Sequence, residues 1–548
     1  MKTCKQCSQS FSVTDVDRRF YEKISVPGPT LCPDCRAQRR LACRNERSLY
    51  RRNCDLTGKS IVSFYPPNSP YKVYAQDVWW GDQWDPFAFG RDFDFSRPFF
   101  EQFDELMKAV PHMAMIISHG ENSDYCAHSG HYKNCYMCVS GMYGEDLFYC
   151  YWTNRSRDCM DCYGGFRCEL CYECILCDRL YNSIFCQDCD NGSDLAFCSN
   201  CDDCKRCIGC FGLKNREYYV FNKKVSPAEY EKKNAEIHSS PQQIRNIQAQ
   251  AQAHALKYPH RAGQIINTEN SSGDHLINCR NARHCYMGEN LEDCAYLWNA
   301  PIGNKDCMDA IYIAESELVY EGIGVVHSYN ELCSSFCWDD KNIAYSSECF
   351  YCNDIFGCVG LKHKEYCILN KPYTKEAYEA LLPKIIEHMK KSGEWGEFPP
   401  VTLSLFAYNE SIAQYVFPLD KNQVLERGWK WSDVEQPLPD VKKIIPAVRL
   451  PENITNIPDD ILSWAIQCEE TGRFFKIVPG ELAFYRKMRL PVPRLHPDQR
   501  YRKRLVLVNP HRLFDRQCAK CGKAIQTTYF PDRSEKVYCE QCYLKEVY

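Results

Sequence analysis

Eight cysteines have the spacing that grips a metal ion. Cys4-x-x-Cys7 is followed by Cys32-x-x-Cys35, and near the other end Cys518-x-x-Cys521 is followed by Cys539-x-x-Cys542. Two CxxC pairs supply four thiolates for a tetrahedral zinc, each pair through a tight knuckle. Four sulfurs leave no coordination position open, so the spacing predicts two structural Zn2+ sites, not a catalytic one.

Basic residues adjoin both sets. Arg36, Arg39, Arg40, Arg44, Arg47, Arg51 and Arg52 follow the first, and Arg500, Arg502, Lys503 and Arg504 precede the second. Such clusters neutralise phosphates, and Tyr50, Tyr501 and Phe514 stand nearby to stack on bases, so these residues are candidate nucleic-acid contacts. The competing expectation is internal pairing. Residues 1–60 carry a charge of +7 and residues 485–548 carry +9, whereas the whole chain is at −4 and its centre therefore at about −20.

These ends are copies. At an offset of 464, Phe11 meets Phe475, Phe20-Tyr21 meets Phe484-Tyr485, Pro33-Asp34 meets Pro497-Asp498, and Lys72-Val73-Tyr74 meets Lys536-Val537-Tyr538. Each end is then a pair of knuckle modules, one of which has lost its ligands. Cys54, Thr57, Ala75 and Val78 cannot hold zinc, and Cys468, Thr471, His496 and Gln499 would make at best a poor site. The run Cys4-x-x-Cys7, Phe11, Phe20-Tyr21, Pro29, Cys32-Pro33-Asp34-Cys35-Arg36 and Arg39 resembles the small bacterial "probable zinc-ribbon" family over residues 1–40, and more faintly over 465–504. The whole layout is similar to cysteine-rich zinc-ribbon proteins of candidate-phylum bacteria. The resemblance implies zinc and a ribbon fold, but no activity.

Between the ends lies a different use of cysteine. Seventeen cysteines from Cys126 to Cys210 all fall on positions divisible by three, and positions 126, 138, 150, 162, 174, 186, 198 and 210 form an unbroken column every twelve residues. So short a unit cannot bury a face alone and must stack on its neighbours. Twelve residues with an inward position every third describe a thin β-solenoid whose coils lie about 4.8 Å apart. A second copy follows: FGLKNREYYVFNK (211–223) matches VGLKHKEYCILNK (359–371) at an offset of 148, and NCYM (134–137) echoes HCYM (284–287) at 150, implying a small deletion between. In the second copy Cys162 becomes Ala310, Cys168 Ser316, Cys171 Val319, Cys174 Gly322 and Cys177 Val325. Metal ligands would not drift this way, whereas small side chains filling a narrow bore would. Further metal at a subset of these thiols, around Cys168–Cys177 and Cys198–Cys210, and ladder disulfides remain as alternatives.

The fold expected is mainly β: a duplicated twelve-residue cysteine-rich β-solenoid with flanking helices and zinc-ribbon modules at both termini. The organisation runs as a tandem ribbon (1–80), an aromatic linker and capping helix (81–118), solenoid copy 1 (119–225), a helical linker (226–262), solenoid copy 2 (263–370), a helix (371–395), a Pro-rich extended linker (396–460) and a second tandem ribbon (461–548). Helices are expected over 96–110, 226–237, 244–258 and 374–391, each of the first, second and fourth opening on Ser or Thr. The aromatic run WWGDQWDPFAFGRDFDF (79–95) suits core packing or capping better than a binding platform. His119, Cys126, His128 and His131 could ligate a metal or form the first polar coil.

No nucleophile elbow, phosphate loop, HExxH or dinucleotide fingerprint is present, so no enzyme is expected. No secretory signal or membrane-length apolar run is visible, which points to a reducing cytoplasm, thiols rather than disulfides, and no membrane partner. The functional expectation is a zinc-binding scaffold for an unknown protein partner. Its alternatives are nucleic-acid binding through the basic ends, and metal buffering or redox sensing by the thiol columns.

Overall fold

The computed structural model describes residues 1–300, 302–434 and 441–547. Two eight-stranded, mainly parallel sheets occupy the middle. The first contains Glu145–Phe148, Arg157–Met160, Glu169–Tyr172, Tyr181–Ile184, Ser193–Ala196, Lys205–Ile208 and Glu217–Val220, closed by antiparallel Lys223–Lys224. Each strand pairs with the one twelve residues on, as in Arg157↔Glu169 and Cys159↔Cys171. Bridges outside the strands keep the same step, as in Tyr151↔Tyr163 and Ile175↔Gln187. The second sheet runs from Leu291–Glu292 through Glu365–Ile368 to antiparallel Lys371–Pro372.

A three-residue backbone rhythm builds this register. Tyr149, Trp152, Arg155, Asp158 and Asp161 all have φ between 49° and 55°, in the left-handed region. That conformation costs a non-glycine residue about 1–2 kcal/mol. Hydrogen bonds between steps offset it: Trp152 donates back to the Val139 carbonyl at 2.8 Å, and Tyr151 donates forward to that of Cys162 at 2.9 Å. The third residue of each unit points inward, which is where the cysteines lie, nearly all fully buried.

In the second sheet the alignment differs from the one the sequence suggests. Leu291 pairs with Asn304 and Trp298 bridges Ile311, so one step there spans thirteen residues. Upstream, Ile265 pairs with Leu276 across eleven. By register Tyr296 is the counterpart of Tyr149, and HCYM sits one three-residue unit further on than NCYM. The two tetrapeptides are similar because every unit resembles the next.

The four helices expected from sequence form against the sheets. Pro227–Ile237 has a Ser226–Glu229 capping box and sends Tyr230 to the Asp194 carbonyl at 2.9 Å. Pro241–Ala255 follows it, and Lys375–Ser392 is capped by Thr374. Phe99–Ala109 starts later than the Ser96 signal suggests. Its first amides are bound by the Glu394 carboxylate, at 2.9 Å from Phe99 and 2.7 Å from Phe100. The aromatic run before it packs on the far end of the second sheet, where Trp79, Trp80 and Trp84 surround the Lys362 ammonium. The Pro-rich segment is less extended than expected. Val401–Leu403 and Tyr408–Glu410 are helical turns, Lys421–Glu426 is a short helix, and Tyr408 and Ile412 are buried. The QPLPD motif within it (436–440) lies outside the described residues.

The ribbon ends fold as the 464-residue repeat requires. Lys2 pairs with Phe11 as Ile466 pairs with Phe475, and Tyr50 pairs with Ser63 as Phe514 pairs with Thr527.

Candidate metal centres

Cys4, Cys7, Cys32 and Cys35 converge, and so do Cys518, Cys521, Cys539 and Cys542, with the sulfurs of each set within 4.8 Å of one another. Cys7 and Cys32 Sγ are 3.7 Å apart, and Cys521 and Cys539 Sγ 3.8 Å. A disulfide needs about 2.05 Å. The edge of a tetrahedron with metal–sulfur bonds of about 2.3 Å is about 3.8 Å, so the sulfurs stand where four-coordinate binding puts them. Backbone amides already favour the ionised form: Cys32 donates to Cys4 Sγ, and Cys539 to Cys518 Sγ, each at 3.3 Å. Desolvation opposes ionisation of Cys518, yet the N–H groups of Cys521, Cys539 and Lys520 bring its thiol down to about 6. Either group could hold a metal ion.

The other two modules keep the knuckle and lose the site. Ala75 donates to Cys54 Sγ at 3.3 Å, the bond made at Cys4, but Thr57, Ala75 and Val78 bring no further ligand. His496 is committed elsewhere. Its Nδ1 accepts from the Asp498 amide at 3.1 Å, capping the helix Pro497–Leu507, and burial lowers its pKa to about 4. Gln499 bonds Glu470. No metal group forms at Cys468 among the described residues. None forms at His119, Cys126, His128 and His131 either. Cys126 is buried inward, His128 stacks between Phe64 and Phe336, and His119 and His131 stack on the outside.

Most of the candidate nucleic-acid arginines are turned into the protein. On the helix Pro33–Ala42, Arg36 Nε meets Asp309 at 2.7 Å, Arg40 meets Asp309 at 3.4 Å, and Arg39 meets Glu321 at 2.6 Å. On the helix Pro497–Leu507, Arg500 and Arg504 both grip Asp161, Arg504 at 2.8 Å. Arg44 pairs with Glu46, Arg47 with Asp498 and Arg52 with Asp55. Arg36, Arg39, Arg40, Arg44, Arg47, Arg52, Arg500 and Arg504 are all buried, so the expectation that they meet phosphate is corrected. A buried carboxylate with two guanidiniums gains more from them than an outside anion could offer through a closed interface. Arg51, Arg502 and Lys503 keep some exposure, against Tyr125, Tyr415 and Glu470.

These contacts are crossed. The first ribbon's leading module docks on the second sheet, through Arg36, Arg40, Asp309 and Tyr296. The last ribbon's leading module docks on the first sheet, through Arg500, Arg504, Asp161 and Tyr149. Arg36 and Arg500 are 464 apart, and Asp161 and Asp309 are 148 apart, so one contact is the repeat image of the other. The trailing modules take the opposite sheets: Val73 pairs with His112, before the first, and Val537 with His260, before the second. Each tandem ribbon thereby spans both repeats. This clasp was missed from sequence, although the two offsets together contain it.

The inward thiols are hydrogen-bonded, not convergent. Cys159 Sγ donates to the Arg157 carbonyl at 3.2 Å and lies 3.5 Å from that of Cys168, while accepting from the Cys171 amide twelve residues on. The same relay joins Cys189 to the Cys201 amide and Cys210 to the Asn222 amide, the latter at 3.4 Å. Burial pushes the Cys189, Cys285, Cys349 and Cys358 thiols upward. Serine does the same work in the second sheet: Ser316 Oγ donates to the Ala314 carbonyl and accepts from the Ser328 amide. All cysteines of the described residues are free, and those of the two sheets form no metal group.

No family model matches the chain, and no curated protein matches it significantly. A solved structure from Desulfovibrio desulfuricans G20, described as an acetyltransferase, is similar at 9% identity with a TM-score of 0.11, covering 44% of this chain. The match spans 63% of that chain's length, and so shallow a likeness bears on neither fold nor activity.

Proposed function

We propose that the protein is a non-enzymatic scaffold in which zinc ribbons of the "probable zinc-ribbon" type clasp two short-coil β-solenoids, leaving the outer faces of the coils to a partner. The observation that carries this reading is the placement of tetrahedrally spaced thiols at the start of the arginine helix Pro33–Ala42. Cys32 stands at the N-cap position of the helix Pro33–Ala42, and Cys35 precedes Arg36, the residue that enters the second sheet. Zinc at Cys4, Cys7, Cys32 and Cys35 would fix the start of that helix, and the second ion would do the same for the strand Lys536–Tyr538 beside Cys539. The twelve-residue register of the first sheet and the three-residue left-handed rhythm support winding as a solenoid. Free buried thiols suit a reducing compartment such as the cytoplasm.

Metal content and native free-thiol count test this. Two zinc ions per chain, released by a chelator while the inner thiols stay unreactive, is the expected result. More than two metals would move the function to the thiol columns, and none would remove the zinc ribbons.

A further inference from the structure

One outer column of the first repeat is built unlike the rest. His119, His131, Tyr143, Arg155, Arg167 and Arg179 succeed one another at twelve-residue steps, all with left-handed backbone and all exposed. The rings of His119 and His131 stack at 4.7 Å and 8°, and those of His131 and Tyr143 do the same. The Arg155 guanidinium continues the pile over Tyr143 at 5.8 Å, and Arg167 lies over Phe166 at 4.8 Å. Arg179 is held by Asp178 and Asn191. Among the described residues Arg155 and Arg167 form no ion pair, whereas the adjacent column pairs its own charges, Lys133 with Glu145 and Arg157 with Glu169. Like charges stacked on neighbouring strands are unfavourable unless something neutralises them. The matching column of the second repeat carries no cation of this kind: it reads Asn278, Asn290, Gly303, Glu315 and His327. The ladder is therefore not a demand of the fold.

We propose that this column is a docking surface for single-stranded nucleic acid, with guanidiniums on phosphates and an unpaired base on the outer face of His119, at the end of the His–His–Tyr stack. Five steps of about 4.8 Å give it a reach of about 24 Å, enough for a few nucleotides. A strip one side chain wide cannot wrap a duplex groove, but it suits a strand whose bases are free to stack. Exposed Met142 and Phe166 beside the column extend the apolar contact. The surface shares no residue with either cysteine set, so it goes beyond the scaffold reading and does not depend on metal.

The test is fluorescence anisotropy of a labelled twelve-nucleotide RNA or DNA with the full-length protein across a salt series. Expected are saturable binding with a log–log salt slope of about −2, from three arginines at about 0.7 each, and at least tenfold weakening in R155Q/R167Q/R179Q. His119→Ala should weaken binding roughly five- to hundredfold by loss of stacking, while His327→Ala in the second repeat changes nothing. All these positions are exposed, and thermal melts and zinc content should match the parent, which separates this outcome from failure of the scaffold. Absence of binding at 50 mM salt, unchanged affinity in the triple variant, or equal displacement by base-free polyphosphate or polyglutamate would each overturn the assignment.

Discussion

Replacing Cys159 separates two accounts of the inward thiols. If they only fill volume, valine should serve at least as well as serine, since it is apolar and larger. The structure gives Cys159 a second role, because it accepts from the Cys171 amide and donates to the Arg157 carbonyl at a site with no exposed surface. Cys159→Ser keeps both bonds and should cost under about 1 kcal/mol. Cys159→Val orphans a buried amide, at about 1–3 kcal/mol, and adds about 1 kcal/mol or more for crowding in the bore. Cys159→Ala orphans the same amide and leaves a small void. The difference between serine and valine is then about 2 kcal/mol, or roughly thirtyfold in an opening equilibrium. Native-state hydrogen exchange over 157–184 reads it locally, where a global melt of so large a chain would dilute it. Equal protection in the three variants, or valine above serine, would refute the relay.

Further outcomes follow from the buried charges and the ribbons. Asp309→Asn strands Arg36 and Arg40 in the interface, and should cost about 3–5 kcal/mol and open the first ribbon to protease; unchanged digestion would contradict the clasp. Glu331 and Asp340 face inward in the second repeat, and burial raises them to about 8 and about 9. Their folded pKa values lie above the unfolded ones, so their full contribution is present below about pH 4 and is lost as pH rises to about 9. The urea midpoint should fall between pH 6 and 9, and Glu331→Gln should flatten that fall. Cys521→Ser should halve the zinc content and leave the Cys4 site loaded, as metal analysis would show.

Much of this architecture was legible because it is periodic. The twelve-residue column and the 464-residue repeat locate the sheets and the surviving ligand sets from sequence alone. What escaped notice lies across elements. Arg36 sits 273 positions from Asp309, and nothing local to either marks their meeting. The eight buried arginines left two readings open, of which internal pairing holds, because a basic cluster looks the same whether its anion is a phosphate or a carboxylate of the same chain. Glu331 and Asp340 stand where the first repeat has Ser183 and Gly192, not cysteine, so following cysteines alone passed over them. The start of Phe99–Ala109 was misjudged because its cap, Glu394, arrives from nearly three hundred residues away.

The crossed docking sets an order of events during synthesis. The helix with Arg36, Arg39 and Arg40 is made before its partners, since Asp309 and Glu321 emerge some 270 to 280 residues later. At about 5–20 residues per second that is a wait of roughly 14–55 s. During it, a module of some forty residues has too little core to persist unaided. A metal bound at its four cysteines would keep the helix formed and its arginines in water until their carboxylates appear. A metal at the first four-cysteine site would thus act as a timekeeper for assembly, holding one half of a joint ready for a partner not yet translated.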